Sequence, residues 1–372
     1  MSLLSEAFPK FYPKRLMASC HAQTLGAYFL KGKLPEYSAK SSIVDLFDGD
    51  RLVVHDDQPE SWITGDRIAV IMHGLCGCHG SPYVVRTASK LNRAGIRTIR
   101  VDMRGFGDST FISRNHLHGG CSQDLLSVLR FVRRLSPLSS VSLVGFSVGG
   151  NVVLRTLGKW GHEVDSIVDS AVAICPPIDL VKCSENLRHH GNRLYERYFV
   201  RRMSEQLFAR RRQVKGLIDP GMCPVPNRLI HFDDQFTSQA WGYSGALEYY
   251  QDASSSSWLS RIQIPTVIIT AQDDPVVPFS IFGETELSSA IELVAPAHGG
   301  HLGFLAGKTK DPDRHWMDWR ICQVIDQVQI APEIAGRQFR IDSAVTGRGT
   351  RCLLYTSPSP RDLSTSRMPS SA

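Results

Sequence analysis

The sequence has little of what marks several common protein classes. No run approaches the roughly 18 consecutive apolar residues that a membrane-spanning helix needs, so we expect no transmembrane segment. The basic excess is slight, with 42 Lys and Arg residues against 36 Asp and Glu residues and a net charge of +6. A charge excess this small gives no reason to expect a nucleic-acid partner.

The cysteines also lack the pattern of a disulfide scaffold. Nine cysteines are spread over 372 residues without regular spacing, whereas secreted disulfide-rich domains are shorter and denser in cysteine. The first twenty residues contain Glu6 and two prolines but no apolar core of the kind found in secretory signal peptides. We therefore expect free thiols and a cytoplasmic protein.

Short β-branched runs alternate with amphipathic helical patterns, and there is no internal repeat. The helical patterns cover residues 81–94, 123–135, 149–157 and 315–328. The strand-like runs are RIAVIM (67–72), IRTIRV (96–101), VSLVGF (141–146), IVDSAVAI (167–174), TVIIT (266–270) and IELVA (291–295). This alternation predicts an α/β fold with a mostly parallel, doubly wound sheet, because parallel strands need crossover helices. Asp48-Gly49 within residues 42–54 predicts an antiparallel hairpin at the sheet edge.

The alternation is interrupted by the insertion segment, residues 179–261, which we predict to be helical. Apolar residues three or four positions apart mark its first half: Leu187, Leu194, Tyr195, Tyr198, Phe199, Met203 and Leu207. Nine Lys and Arg residues between positions 188 and 215 occupy the other faces. The preferred interpretation is a solvated helical surface. The alternative is a peripheral surface (179–215) that attracts anionic lipid or an anionic substrate headgroup.

The last 21 residues are interpreted separately. Residues 352–362 and 366–372 back-translate to two segments of one sequencing-adapter oligonucleotide, in order and in frame. We therefore interpret residues 352–372 as a translated adapter that replaces the native chain from about position 351.

The predicted organisation is an N-terminal arm packed on the core (1–40), an α/β core (41–178 and 262–335), a helical cap formed by the insertion segment (179–261), and a C-terminal segment of uncertain structure (336–351).

GFSVGG (145–150) carries the strongest chemical signal. It is a Gly-x-Ser-x-Gly pattern directly after a predicted strand and directly before a predicted helix. That strand-to-helix turn is so tight that it needs the flanking Gly145 and Gly149, and it lifts the serine hydroxyl above the sheet. Ser147 is therefore the candidate nucleophile, and a plain turn is the less favoured alternative.

A serine nucleophile needs a base, and the base needs an acid that orients it. In this type of fold both follow the serine, the acid first. Asp273 and Asp274 directly follow the predicted strand TVIIT, and His298 and His301 follow the next strand. Sites of doubly wound sheets collect at such strand ends. One Asp and one His from these two pairs would complete a catalytic triad.

The same chemistry needs two backbone N–H groups to stabilise a tetrahedral oxyanion. Val148, directly after the nucleophile, would supply one of them. HGLCGCHG (73–80) follows the strand RIAVIM, so Leu75 would supply the other.

Zinc held by His73, Cys76, Cys78 and His79 is disfavoured, because structural sites use Cys-x₂₋₄-Cys spacing with a second ligand pair. A redox cysteine pair is disfavoured for a related reason, since the common motif is C-x-x-C. We predict no metal site and no cofactor.

These motifs together resemble the YheT-like group of α/β-hydrolases, also called the hydrolase-4 family. The similarity runs from HAQT (21–24) to GGHLGF (299–304) and includes HGLCG, GFSVGGN, FDDQFT (232–237) and DDP (273–275). The resemblance implies a triad of Ser147, Asp274 and His301, with Asp273 and His298 as the fallback members. DMRGFGDS (102–109) departs from the family pattern and instead resembles the pattern typical of the wider α/β-hydrolase fold.

The resemblance also implies a serine esterase that acts on a small acyl ester of short or medium chain length, acylglycerols and phospholipids included. Two alternatives remain open at this point. An alcohol O-acyltransferase would use the same acyl-enzyme and differ only in the second nucleophile. A non-catalytic binding module on the same fold is less favoured, because every member of a triad has a candidate. The sequence carries no signal for an oligomeric state.

Overall fold

The computed structural model describes residues 8–30, 34–115, 117–210 and 226–330. The predicted C-terminal segment (336–351) and the adapter-like residues (352–372) lie outside this part of the chain. So does part of the insertion segment, residues 211–225. The division of the chain into arm, core and cap stays a prediction.

An eight-stranded sheet organises the described residues. Its order is β1-β2-β4-β3-β5-β6-β7-β8, and all pairings from β4 to β8 are parallel, while β1–β2 and β2–β4 are antiparallel. The strands are β1 (Lys40–Asp45), β2 (Arg51–Asp57), β3 (Ile68–Met72), β4 (Arg97–Asp102), β5 (Val141–Phe146), β6 (Val168–Ile174), β7 (Thr266–Ile269) and β8 (Ile291–Val294). The predicted doubly wound α/β fold is confirmed, and each of the six predicted parallel strands forms within one residue of its expected bounds.

Twelve α-helices are found in the described residues. They are α1 (Cys20–Phe29), α2 (Pro82–Arg93), α3 (Ser122–Leu135), α4 (Val148–Lys159), α5 (Gly161–Val164), α6 (Leu180–Leu187), α7 (Arg193–Arg210), α8 (Leu229–Phe232), α9 (Ser238–Trp241), α10 (Ala246–Ala253), α11 (Ser280–Gly283) and α12 (Trp316–Ile330). Short 3₁₀ helices cover Arg15–Met17, Gly107–Phe111, His190–Asn192 and Ser256–Arg261. A π-helical turn, Asp233–Thr237, joins α8 to α9. None of the helices described here combines the length and the apolar character that crossing a bilayer requires.

The central strands are buried on both faces because helices cover each side of the sheet. Every residue of β3 and β5 is buried. Helices α3 and α4 pack on one face through Leu125, Leu129, Val152 and neighbouring apolar residues. Helices α2 and α12 cover the other face with an equivalent set that includes Leu91 and Ile321. This layering explains why the strands read as continuous apolar runs rather than alternating ones.

The predicted hairpin forms at the edge of the sheet. Strands β1 and β2 pair antiparallel, with Ser42 opposite Val54 and Asp45 opposite Arg51. Gly49 turns the chain with a φ of 75°, a conformation that glycine adopts without steric cost. The dipeptide Asp48-Gly49 therefore lies in the turn of the hairpin, as the sequence pattern predicts.

The insertion segment differs from its predicted form in two ways. Its first half is two helices, since α6 ends at Leu187 and α7 begins at Arg193. Leu194, expected on the apolar face, is consequently 71% exposed near the start of the second helix. Arg210, expected on the solvated face, is fully buried and donates to the carbonyls of Ser113 and Asn115. The local spacing of apolar residues cannot predict this burial, because the Arg210 side chain bonds to loop carbonyls almost 100 residues away in sequence.

His118 joins the core to the insertion segment through a chain of hydrogen bonds. Its Nδ1 accepts from the N–H of Gly120 at 3.0 Å, so the ring proton lies on Nε2, which meets the Tyr243 hydroxyl at 2.8 Å. The Tyr243 hydroxyl donates to Asp252 at 2.7 Å. Burial lowers the pKa of His118 to about 3. The neutral ring is therefore the form that fits this site.

This network predicts a specific loss of stability in acid. The unfolded chain takes up a proton at His118 below about pH 6.5, whereas the folded ring stays neutral down to about pH 3, so lowering the pH favours unfolding in this window. The quantity to compare is the free energy of unfolding of wild type minus that of His118→Gln. We expect this difference to fall by about 3 kcal/mol between pH 7 and pH 4. Urea unfolding at both pH values measures the difference.

The matched control is His162→Gln, which changes an exposed histidine on α5. Its stability relative to wild type should stay nearly constant over the same range. A constant difference for His118→Gln as well would contradict the buried, neutral state of His118.

Candidate active site

The turn at Ser147 has the geometry that its motif predicts. Ser147 lies between β5 and α4 with φ 51° and ψ −122°, a backbone conformation that non-glycine residues rarely adopt. A Cβ atom at Gly145 would come within 3.0 Å of the backbone of Gly149 and Gly150. A Cβ atom at Gly149 would collide with the carbonyl of His73. Both glycines are therefore required by close backbone contacts, and strain of this kind is concentrated at functional sites.

Ser147, His301 and Asp274 form one hydrogen-bonded chain. The Ser147 Oγ lies 3.0 Å from the Nε2 of His301, and the Nδ1 of His301 lies 2.9 Å from Asp274 Oδ2. Because a carboxylate only accepts, the ring proton lies on Nδ1, and Nε2 is free to accept from the serine hydroxyl. All three residues are buried, with 7–8% of their surface exposed.

The acid is held by the turn that follows β7. Asp274 Oδ1 accepts from the N–H groups of Val276 and Val277, at 2.8 Å and 3.0 Å. Its other oxygen is left for His301. The carboxylate is thus fixed on one side by backbone donors and presents the remaining side to the ring.

The fallback residues meet each other rather than the serine. His298 Nδ1 lies 3.2 Å from Asp273 Oδ2, and the His298 side chain is 52% exposed. Asp273 Oδ1 accepts from the N–H of Gly300 at 2.9 Å, which secures the loop that carries His301. Of the two Asp–His combinations, the geometry brings Asp274 and His301 to Ser147.

Helix α1 supports the histidine loop, a role that sequence patterns did not indicate. The N–H of His301 donates to Thr24 Oγ1 at 2.9 Å, across 277 positions of sequence. Gly300 has a φ of 57°, and a Cβ atom there would collide with the Cys20 carbonyl and the Thr24 hydroxyl. Thr24 therefore helps to position His301.

Gln23 fixes the other end of the same loop. This fully buried side chain accepts from the Leu305 N–H at 2.7 Å and donates to the Leu305 carbonyl at 3.2 Å. In the sequence HAQT is only a motif shared with the resembling family. Its supporting role becomes visible in the fold, where the Gln23 amide is fully buried and the Thr24 hydroxyl is half-buried.

The loop after β3 lies directly beside the nucleophile. A Cβ atom at Gly74 would stand 3.1 Å from the Cβ of Ser147, and the Gly74 N–H donates to the Tyr83 hydroxyl at 2.9 Å. His73 accepts from the Met103 N–H through Nε2 at 3.1 Å and holds the Gly74 carbonyl through Nδ1 at 2.7 Å. Burial lowers the pKa of His73, so the ring is a neutral brace for the loop.

Leu75 and Val148 occupy the positions expected of oxyanion donors. Val148 is the first residue of α4, and Leu75 follows Gly74 in the loop. Among the residues described, none accepts a hydrogen bond from either backbone N–H. Two unpaired donors beside a serine hydroxyl are suited to stabilising negative charge. Their catalytic role stays a prediction.

Within the described residues, neither cysteine of the loop is in a disulfide or in a group of side chains close enough to share a metal ion. All seven cysteines in the described ranges are free, Cys76 and Cys78 included. Burial raises the pKa of Cys76 to about 12 and also raises that of Cys78, which keeps both thiols protonated. In the same part of the chain, neither group of side chains close enough to share a metal ion contains these cysteines.

One of those two groups overlaps the triad. It consists of Cys175, Asp274 and His301, whose ligand atoms lie within 4.8 Å of one another. Asp274 and His301 are already bonded to each other, and burial together with the charge of Asp274 raises the pKa of the Cys175 thiol. Two of the three members, Asp274 and His301, thus already belong to the hydrogen-bonded chain that ends at Ser147.

The chain matches a protein-family model described as the alpha/beta hydrolase fold over residues 70–308. It is 28% identical over 316 residues to the Escherichia coli (strain K12) protein named "Putative esterase YheT", covering 84% of this chain and 92% of that protein. It is 27% identical over 216 residues to human "Monoacylglycerol lipase ABHD2", a match that spans 54% of this chain and about half, 51%, of that protein.

A solved esterase from Pyrococcus furiosus, Pf2001, shares the fold. The superposition has a TM-score of 0.52 at 16% identity and covers 86% of this chain and 99% of that structure. The family model covers well over half of the chain, and its span includes Ser147, Asp274 and His301. The chain therefore belongs to the alpha/beta hydrolase fold family.

Proposed function

We propose that the protein hydrolyses carboxylic esters through an acyl-enzyme on Ser147. The observation that carries the proposal is the chain of contacts from Asp274 through His301 to the Ser147 hydroxyl, at 2.9 Å and 3.0 Å. The names of the similar proteins, an esterase and a monoacylglycerol lipase, support the same reaction class.

The proposed first half-reaction forms the acyl-enzyme. Ser147 Oγ attacks the acyl carbon while His301 Nε2 takes the hydroxyl proton. Asp274 keeps the ring oriented and stabilises the imidazolium that forms. The C–O bond to the alcohol then breaks, and His301 returns the proton to the departing alkoxide oxygen. The alcohol leaves, and Ser147 carries the acyl group as an ester.

Water then hydrolyses the acyl-enzyme by the same proton transfers. In this half-reaction water takes the place of the serine as nucleophile, and Ser147 takes the place of the departing alcohol. His301 takes a proton from water, whose oxygen attacks the acyl carbon, and then protonates Ser147 Oγ as the carboxylic acid departs. In both half-reactions the tetrahedral oxygen carries negative charge. We propose the N–H groups of Val148 and Leu75 as its donors, and one such donor contributes about 3 kcal/mol in well-studied hydrolases.

The proposed substrates are short- to medium-chain acyl esters, including acylglycerols and phospholipids. An apolar cluster of Met203, Leu207, Phe232 and Phe236 from the insertion segment packs against Leu75 and Cys76 of the oxyanion loop. This contact supports the proposal that the insertion segment acts as a cap that shapes an acyl pocket. Contact of the basic residues with anionic lipid stays a prediction, since part of that run lies outside the described residues.

One prediction of the proposed mechanism concerns the nucleophile. Ser147→Ala removes the attacking oxygen, so we expect kcat/KM for p-nitrophenyl esters to fall by about 1,000-fold or more. A panel of esters from acetate to palmitate, run on wild type and variant, measures both the loss and the preferred chain length.

Ser166→Ala is the matched control, because it removes an exposed hydroxyl away from the site. It should keep the wild-type activity across the panel. Equal hydrolysis by wild type and Ser147→Ala would refute the proposed mechanism.

A further prediction of the proposed mechanism separates two adjacent aspartates. Asp274→Asn removes the charge that stabilises the His301 imidazolium, and we expect kcat to fall by about 10⁴-fold. Asp273→Asn makes the identical chemical change one position earlier, on a carboxylate that pairs with His298. We expect it to lower kcat by about tenfold at most. Steady-state kinetics with the best ester of the panel measures both variants.

Circular dichroism and the unfolding midpoint show whether each variant remains folded. A larger loss in Asp273→Asn than in Asp274→Asn would assign the acid to position 273 and contradict the arrangement proposed here.

A further inference from the structure

Four side chains outside the triad converge at the edge of the sheet near β2 and β4. They are His55 from β2, His79 from the loop after β3, Asp102 at the end of β4, and Asp108 from the 3₁₀ helix Gly107–Phe111. Each offers one nitrogen or oxygen atom, and these atoms all lie within 4.8 Å of one another. Imidazole and carboxylate are the ligand types that zinc and related divalent ions take in proteins.

Three separations between these atoms can be compared with the spacing of ligands around a small cation. His79 Nδ1 and His55 Nε2 lie 2.7 Å and 3.1 Å from Asp102 Oδ2. His55 Nε2 lies 3.5 Å from Asp108 Oδ2. Ligands of a tetrahedral site with bonds of about 2.0–2.1 Å are separated by about 3.3 Å. The four atoms are close enough to share one ion, and the stacked His55 and His79 rings would have to turn apart for both to direct a lone pair at it.

The charges of the cluster favour a divalent cation. Two carboxylates face one point, and the His55 and His79 rings stack with centroids 3.5 Å apart. The buried Asp102 carboxylate is surrounded by N–H donors of the two rings and of the His79 and Asp108 backbone, with no Lys or Arg side chain of the described ranges bonded to it. One divalent ion would balance the charge of both carboxylates.

The ring protons do not prevent metal binding. In the hydrogen-bonded arrangement each ring directs a protonated nitrogen at Asp102. A neutral imidazole can move that proton to its other nitrogen and present a lone pair to the ion. The metal–nitrogen bonds then replace the hydrogen bonds, and no proton has to be lost from the cluster.

The surrounding backbone is shaped to hold the cluster together. Gly107 has a φ of 51°, and a Cβ atom there would overlap the Asp102 carboxylate. The chain therefore wraps closely around Asp102, which brings Asp108 to the cluster and lets its N–H donate to Asp102 at 2.8 Å. The His79 N–H donates to the second Asp102 oxygen at 2.6 Å. Supporting bonds of this kind orient ligands around protein-bound metals.

We propose that His55, His79, Asp102 and Asp108 form a structural site for a divalent metal ion of the zinc class. The ion fastens the loop that contains Leu75 and His79 to the carboxyl end of β4. The Asp108 side chain is 61% exposed and leaves the ion a path from solvent, while the Asp102 side chain is fully buried. The site is separate from the proposed ester hydrolysis, and its test does not depend on activity.

Cobalt and zinc titrations of the full-length, tag-free protein test the site directly. The protein is first stripped with a chelator and dialysed. We expect one Co²⁺ per chain with the intense visible absorption of tetrahedral cobalt, its displacement by Zn²⁺, and a rise in the unfolding midpoint when Zn²⁺ is added.

Asp108→Asn is the informative variant, because its exposed side chain can change without disturbing the core. We expect it to weaken Zn²⁺ binding by about 10- to 100-fold and to reduce the midpoint shift. Asp45→Asn removes an exposed carboxylate on β1 and is the matched control, with binding equal to wild type. The same Zn²⁺ titration of His55→Gln, which removes a buried ligand, gives a second, independent measurement.

Two results would overturn the proposal. The first is the absence of stoichiometric Co²⁺ or Zn²⁺ binding by wild type. The second is equal affinity in wild type, Asp45→Asn and Asp108→Asn, which would place any bound metal elsewhere on the chain.

Discussion

The geometry of the site depends on a close contact between two backbone segments, the turn at Ser147 and the loop after β3. Gly149 lies against the His73 carbonyl with no room for a Cβ atom between them. Since β3 and β5 are parallel neighbours, both segments leave the sheet at the same edge. The contact therefore keeps the backbone of Leu75 and Val148 beside the serine hydroxyl, and a side chain at position 149 would force them apart. Ser147 lies in the same turn, with a φ of 51° that non-glycine residues rarely adopt.

A second contact brings in a distant part of the chain. Thr24 and Gln23 of α1 hold both ends of the loop that carries His301, although they precede their partners by 277 and 282 residues. Both lie before residue 70, where the match to the family model begins. The base is thus positioned by a segment outside the family-wide core, which gives the N-terminal helix a part in the geometry of the site.

Sequence patterns predicted the parallel strands and the order of the triad candidates because both leave local signals. Each strand is a short apolar run, and Gly145 and Gly149 mark the tight turn around Ser147. Contacts between distant residues leave no such signal. Arg210 reads as part of a solvated basic run, yet it bonds to loop carbonyls in the interior. His55, His79 and Asp102 come from three separate elements, so only the folded sheet brings them together.

Labelling with a fluorophosphonate, followed by mass spectrometry of the intact protein and its peptides, tests the acyl-enzyme proposal most directly. A fluorophosphonate reacts with a serine only where a base and an oxyanion site activate it. The proposed mechanism predicts a single adduct per chain, located on Ser147 and absent from Ser147→Ala. A wild-type protein that acquires no adduct, or an adduct that persists in Ser147→Ala, would contradict it.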